Sequence, residues 1–123
     1  MKIYISLGAL FGGFSVMLGA FGAHSLKAVL TEKSLSTFTT ATHYMMYHSL
    51  ALLALGALSL NEEHREKVKT PGKFFIAGIL FFSGSLYILA FGGPKLFGPI
   101  TPIGGLSLMI GWFTLANAFF KKT

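Results

Sequence analysis

The stretch GALFGGFSVMLGAFGAH, residues 8–24, decides the fold class of this chain. Its small residues recur every three or four positions, so on a helix they form one continuous ridge that a second helix can approach closely. This ridge consists of Gly8, Gly12, Ser15, Gly19 and Gly22. The residues between them are mostly large and apolar, and no charged residue occurs between Lys2 and Lys27. A helix without a polar face belongs in lipid, so the stretch predicts a membrane-spanning helix.

The composition of the whole chain also indicates a membrane protein. Of its 123 residues, 53% are hydrophobic and 11% are charged, which is far from the balance of a soluble domain. The formal net charge is +6, but the basic residues lie at the ends of long apolar runs, where membrane orientation accounts for them. We therefore expect no nucleic-acid partner. The chain has no cysteine, which excludes disulfides and thiolate metal ligands.

Long uncharged runs predict an all-α, four-transmembrane-helix bundle built of two hairpins, in a single membrane domain over residues 1–123. Residues 25–40 mix apolar and polar side chains, which suits a short interfacial helix or an ordered connector. Residues 61–73 are strongly hydrophilic and contain Pro71 and Gly72, so we expect a solvated linker in which any preceding helix ends. The predicted spans are about 3–23, 42–60, 74–93 and 100–120.

The lysine and arginine residues are distributed unequally between the two sides of this topology. Seven flank the side that holds both termini and three flank the other side. By the positive-inside rule, both termini should face the cytoplasm across the cell (inner) membrane. The seven are Lys2, Arg65, Lys67, Lys69, Lys73, Lys121 and Lys122, and the three are Lys27, Lys33 and Lys95.

A small set of polar side chains falls in the outer half of the membrane under this topology. Unpaired polar groups are costly in lipid, so the set predicts either a polar pocket near the outer leaflet or hydrogen bonds that tie the helices together. We expect His48 to lie inside the bundle near His24, about one turn into the membrane. The candidate pocket residues are His24, Tyr44, His48, Ser83, Ser85, Tyr87 and Thr101.

The small residues predict where helices pack against each other. We expect the first ridge to contact protein rather than lipid, so that Gly12→Leu or Gly19→Leu lowers thermal stability. The facing helix could come from the same chain, from a second copy in a homo-oligomer, or from another membrane protein. The helix-packing residues are Gly8, Gly12, Ser15, Gly19, Gly22, Gly84, Gly104, Gly105 and Gly111.

Several motifs, taken together and in order, resemble a known family. They are LGAFGAHSLK (18–27), YHSLALL (47–53), FSGSLY (82–87) and ITPIGG (100–105), followed by GW at 111–112. They resemble a small bacterial membrane family catalogued as domain of unknown function four-two-three, which has a eukaryotic counterpart of the same four-helix plan. The resemblance implies a four-span inner-membrane protein and, position by position, the same seven polar residues, but it implies no activity.

Catalytic groups are sparse, because the chain has no Asp and no pair of carboxylates within a span. We therefore expect a non-enzymatic binding, carrier or assembly role in the membrane, with membrane lipid as a partner, while an enzymatic role stays open. The alternative is a redox or metal-dependent membrane protein that uses His24 and His48. We assign no cofactor and leave lipid, quinone and metal open as ligands.

Overall fold

The computed structural model describes residues 2–120, which form four helical rods. These are α1 (Lys2–His24), α2 (Glu32–Leu58), a long rod that starts with α3 (Glu62–Gly78), and α5 (Ile100–Phe120). In the third rod, α3 continues through a π-helical segment (Ile79–Ser83) into α4 (Gly84–Ala90). Within residues 2–120 there is no β-strand, so the predicted all-α transmembrane bundle is confirmed.

The rods form two hairpins, one of α1 with α2 and one of the α3–α4 rod with α5. Lys2 and Arg65 line one cleft, and the ring of Phe119 packs on that of His64 with centroids 5.2 Å apart. The start of α1, the α2–α3 turn and the end of α5 therefore share one end of the bundle, which we call the termini end. The α1–α2 and α4–α5 connections lie at the other end, which we call the loop end.

Helix α2 begins earlier than the sequence suggests. The side chain of Thr31 caps its first turn by accepting a hydrogen bond from the backbone N–H of Ser34 at 3.1 Å, and Glu32 complements the helix dipole there. Residues 32–40 are thus the first turns of α2, and the 3-10 turn Leu26–Ala28 precedes them. The expectation of a separate interfacial helix or connector up to residue 40 is wrong.

The expected linker over residues 61–73 is helical, so that expectation is also wrong. Asn61 caps α3 by accepting a hydrogen bond from the N–H of Glu63 at 3.0 Å, and the helix then passes through Pro71 without ending. Tyr4 of α1 packs against Gly72, the residue after this proline, and its hydroxyl donates to the Lys69 carbonyl at 2.6 Å. Proline is tolerated inside membrane helices where a neighbouring helix packs against the perturbed backbone.

Among the described residues, three stretches are long and apolar enough to cross a membrane: Lys2–His24, Glu62–Ala90 and Lys95–Phe120. Helix α2 is long enough, at 27 residues, but it carries several Ser, Thr and His side chains. Three of these, Thr42, His48 and Ser49, are buried, because α2 lies at the centre of the bundle. The rod from Glu62 to Ala90 has 29 residues, or about 43 Å at 1.5 Å per residue, and exceeds a hydrocarbon core of ~30 Å.

The predicted spans 3–23 and 100–120 fall within α1 and α5. The other two predicted spans differ from the helices that contain them. Span 42–60 starts ten residues after α2 does, and span 74–93 runs past the end of α4 at Ala90 into the following turn.

The ridge of small residues on α1 lies against α2. A Cβ at Gly8 would be 2.8 Å from the backbone oxygen of Ser49, and one at Gly22 would be 3.0 Å from the ring of Phe38. At Gly12 the nearest atom, Ser49 Oγ, would be 3.4 Å away, and at Gly19 the nearest would be 3.8 Å away. Gly19 thus has room for a Cβ, so that atom gives no steric reason for the expected loss of stability in Gly19→Leu.

The glycines of the second hairpin also differ in how much space surrounds them. A Cβ at Gly104 would be 2.7 Å from the carbonyl carbon of Phe81, and one at Gly111 would be 2.6 Å from the ring of Phe75. At Gly105 the nearest atom would be at an ordinary 3.5 Å, and at Gly84 none would lie within 4 Å. Close helix packing therefore requires glycine at positions 104 and 111 but not at position 84.

Candidate functional site

One group of polar contacts joins α2 to α4 near the loop end. The hydroxyls of Thr42 and Tyr87 are 2.7 Å apart, and Thr42 Oγ1 also lies 3.0 Å from the carbonyl oxygen of Phe38, to which it donates. Since the Thr42 proton goes to that carbonyl, the Tyr87 hydroxyl is the donor between the two side chains. The ring of Tyr87 packs edge-on against Phe38, with centroids 5.1 Å apart.

Two serines, one at the end of the π segment and one just after it, make further bonds between helices. Ser83 Oγ donates to the Ala41 carbonyl of α2 at 2.8 Å. The hydroxyl of Ser85 lies 2.5 Å from that of Thr101 on α5. Both serines are buried, and in lipid such pairings satisfy groups that would otherwise lack a partner.

His48 is buried, and both of its ring nitrogens have partners. The indole N–H of Trp112 donates to Nε2 at 2.9 Å, and Nδ1 lies 2.7 Å from the Tyr44 carbonyl oxygen. A carbonyl only accepts and an indole N–H only donates, so the imidazole is neutral with its proton on Nδ1. Tyr44 is 41% exposed, and its ring lies 4.9 Å, centroid to centroid, from that of Phe82.

His48 lies near the middle of the bundle rather than in its outer half. It packs beside Phe75, with ring centroids 5.4 Å apart, and Phe75 is near the midpoint of the rod from Glu62 to Ala90. The expected depth of one turn was wrong because the predicted span began at residue 42, whereas α2 begins at Glu32.

The two histidines that we expected to find together are far apart. His24 is exposed at the end of α1, two residues beyond Gly22, which packs on Phe38. Phe38 and His48 are ten residues apart on α2, which is about 15 Å along the helix. His24 and His48 therefore cannot ligate one metal ion or cofactor together. Within residues 2–120, no three His or Glu side chains cluster closely enough to hold a metal ion.

The sequence alone did not reveal the role of Trp112. Its indole N–H pairs with the imidazole of His48. A usable signal existed, because an indole N–H far from either end of an apolar helix needs an acceptor.

A cleft of about 330 Å³ opens at the loop end, between the end of α1 and the start of α2. Its floor is apolar and its rim is polar. Glycines 19 and 22 create part of the space because they have no side chains. Thr42, which pairs with Tyr87, also lines it, but the seven predicted pocket residues are not among its described lining. The lining includes Gly19, Gly22, Lys27, Phe38, Thr39 and His43.

Comparison with known proteins identifies the family. The family profile described as "Protein of unknown function (DUF423)" matches residues 18–105, which is more than half of the chain. The chain belongs to this family. The match contains the residues that line the loop-end cleft and also contains His48.

Full-length relatives of this DUF423 protein occur in several bacteria. A UPF0382 membrane protein of Staphylococcus aureus is 48% identical over 121 residues, with 98% of each chain covered. The UPF0382 membrane protein YwdK of Bacillus subtilis is 40% identical with the same coverage. One from Haemophilus influenzae is 43% identical over 97% of this chain and 94% of its own. No solved structure matches. The relatives are named as membrane proteins, without an activity.

Proposed function

We propose that this membrane protein is non-enzymatic and binds an amphiphilic ligand in the loop-end cleft. The observation that supports this function is the combination of an apolar floor, where Gly22 and Phe38 lie, with a rim that carries Lys27 and Thr39. An apolar chain fits the floor and a polar headgroup fits the rim. A volume of about 330 Å³ lies within the range of small-ligand sites, about 300–1,000 Å³.

The charge at the rim favours a headgroup that carries negative charge or several hydrogen-bond acceptors. Lys27 is exposed at the first turn after α1 and brings a cation to the cleft. Thr39 and His43 supply exposed groups that can donate hydrogen bonds. The rim therefore offers donors to the ligand while the floor excludes water.

The predicted polar residues have a positioning role in this proposal. Thr42 lines the cleft, and its bond to Tyr87 fixes α2 against α4. Ser83 and Ser85 hold the π segment to α2 and α5. The bond between His48 and Trp112 joins α2 to α5 nearer the middle of the bundle, and His48 also bonds to the Tyr44 carbonyl. These bonds keep the first turns of α2 in place while a ligand enters and leaves.

We also propose that the termini end faces the cytoplasm across the inner membrane, which places the cleft in the outer leaflet. The unequal distribution of Lys and Arg residues supports this orientation. Two of the seven basic residues on that side, Lys121 and Lys122, lie outside the described residues. The other five lie in α1 and α3, before the midpoint of the third rod.

Two matched glycine substitutions on α1 test the proposed function. Gly19→Leu adds a side chain at the cleft, where its Cβ would lie 3.8 Å from the nearest atom, whereas Gly13→Leu adds one where no atom lies within 4 Å of a Cβ. The protein is purified in a mild detergent, and the mass of the lipids that remain bound is measured by native mass spectrometry.

We expect the native protein and Gly13→Leu to carry the same bound mass and Gly19→Leu to carry one bound ligand fewer, with all three folded. Equal retention in both variants would contradict binding in the cleft. A native protein that retains no lipid, even after incubation with a total membrane lipid extract of the expression host, would also contradict it.

A further inference from the structure

A second cleft, of about 470 Å³, lies at the opposite, termini end of the bundle. It is formed where the first turn of α1 meets the α2–α3 turn. Its described lining contains two cations, one serine and two apolar residues, with no acidic side chain among them. These residues are Lys2, Ile3, Ser59, Leu60 and Arg65.

The guanidinium of Arg65 is held at this cleft by the end of α2. Its Nε–H donates to the Ser59 carbonyl at 3.3 Å. One of its terminal nitrogens lies 3.8 Å from a carboxylate oxygen of Glu62, whose side chain is 88% exposed. Such an exposed pair is weak, so this carboxylate competes little with a stronger anion. A guanidinium fixed through Nε presents its remaining N–H groups as a fork that suits phosphate oxygens.

The other residues of the cleft complete a site for an amphiphilic anion. Lys2 is exposed and adds a second cation at the start of α1. Ile3 and Leu60 are 56% and 63% exposed, respectively, and lie beside the two cations. An exposed apolar side chain next to a cation, at the end of a membrane helix, matches the boundary between lipid headgroups and acyl chains.

We infer that this cleft binds an anionic phospholipid, with its phosphate between Lys2 and Arg65 and its acyl chains along Ile3 and Leu60. Charge complementarity favours this occupant, because a zwitterionic headgroup offers its phosphate together with a cation that the two basic side chains repel. The inference does not depend on the loop-end cleft or on what that cleft binds. In the proposed orientation, the bound lipid belongs to the cytoplasmic leaflet.

The test uses the full-length protein in detergent, with phosphatidylglycerol as the probe and phosphatidylcholine as the zwitterionic comparison. Bound lipid is titrated by native mass spectrometry. We expect phosphatidylglycerol to bind more tightly than phosphatidylcholine. Removing one cation near a membrane surface weakens anionic lipid binding about fivefold, so Arg65→Gln and Lys2→Gln should each show that loss.

Two further variants control for charge alone. Lys33→Gln removes one positive charge from an exposed residue at the loop end and should leave the affinity for phosphatidylglycerol within a factor of two. Glu62→Gln removes the weak competitor of Arg65 and should leave binding unchanged or tighter. If Arg65→Gln unfolds, Lys2→Gln carries the comparison, because Lys2 is exposed and at the first turn of α1.

The inference is overturned if the two lipids bind equally, or if Lys33→Gln weakens binding as much as Lys2→Gln does. It is also overturned if sodium phosphate displaces phosphatidylglycerol at an equal concentration, because the site then recognises a free anion. Loss of binding in Gly19→Leu with no loss in Lys2→Gln would place the anionic lipid in the loop-end cleft and would refute this site.

Discussion

Replacing Gly104 with alanine tests how closely α5 is held to the π segment. The added Cβ would meet the backbone nitrogen of Phe82 first and would also lie 2.7 Å from the carbonyl carbon of Phe81, so α5 must retreat by more than about 0.7 Å to restore ordinary contacts of 3.4 Å. A gap of that size forfeits a quarter to a half of the dispersion energy along the contact, and overpacking of this kind costs about 1–3 kcal/mol. Ser107, one turn further along α5, donates to the Phe74 carbonyl at 2.8 Å, and the same movement stretches that bond.

Because the clash is with backbone atoms, the cost falls at the upper end of this range, about 3 kcal/mol. The greater helix propensity of alanine returns up to ~1 kcal/mol, so the net expected loss in Gly104→Ala is about 2 kcal/mol of unfolding free energy. For a chain of this size it corresponds to a melting temperature lower by roughly 8 °C. The measurement is thermal unfolding of the purified protein in one detergent, followed by circular dichroism.

Two neighbouring glycines provide matched controls for this substitution. A Cβ at Gly105 would meet its nearest atom at 3.5 Å, and one at Gly84 would meet nothing within 4 Å. Gly105→Ala and Gly84→Ala should therefore melt at or above the native temperature, since both gain helix propensity. If Gly104→Ala has the same melting temperature as these controls, the stability of the bundle does not depend on the close contact between α5 and the π segment.

Two other substitutions test single hydrogen bonds. Tyr4→Phe removes the hydroxyl that donates to the Lys69 carbonyl and should lower the unfolding free energy by about 0.5–1.5 kcal/mol. Tyr47→Phe, at an exposed ring, should leave the unfolding free energy unchanged. Equal melting temperatures for both variants would show that the bond to α3 does not stabilise the protein. Trp112→Phe should lower the unfolding free energy by about 0.6–1.7 kcal/mol in the native background. In His48→Leu, where the acceptor is gone, the same substitution should not lower it. A double-mutant cycle without coupling energy would contradict the pairing.

The four-helix architecture could be predicted because lipid imposes a simple rule on composition. A span must be long and nearly uncharged, so apolar runs show where helices must be. The predicted range 100–120 for the last span coincides with α5. The tight fit of Gly8 and Gly22 against α2 follows from the same spacing of small residues that identified α1 as a membrane helix.

Helix boundaries in the polar stretches were harder to predict because tertiary contacts decide them. Pro71 normally ends a helix, and nothing local shows that Tyr4, more than sixty residues earlier, will support the backbone at Lys69. The cap at Asn61 and the acidic first turn that follows it were visible in the sequence. They were outweighed by the general hydrophilicity of residues 61–73, which suggested a linker.

The candidate site was only partly accessible from the sequence, because polarity identifies residues but not their partners. Depth estimates depended on the start of α2, so an error of ten residues there misplaced His48 along the membrane normal. The loop-end cleft was invisible for a different reason. It exists where side chains are absent, at Gly19 and Gly22, and the shape of a void depends on how two helices pack.

The pairing of His48 with Trp112 has a consequence for biosynthesis. The chain is made from its N-terminus, and Trp112 lies on α5, the last helix to leave the ribosome. Until α5 inserts, Nε2 of His48 has no indole partner, and the π segment at Phe81 lacks the backbone of Gly104 against it. A chain truncated before α5 therefore presents an unpaired imidazole and an uncovered irregular backbone inside the bilayer.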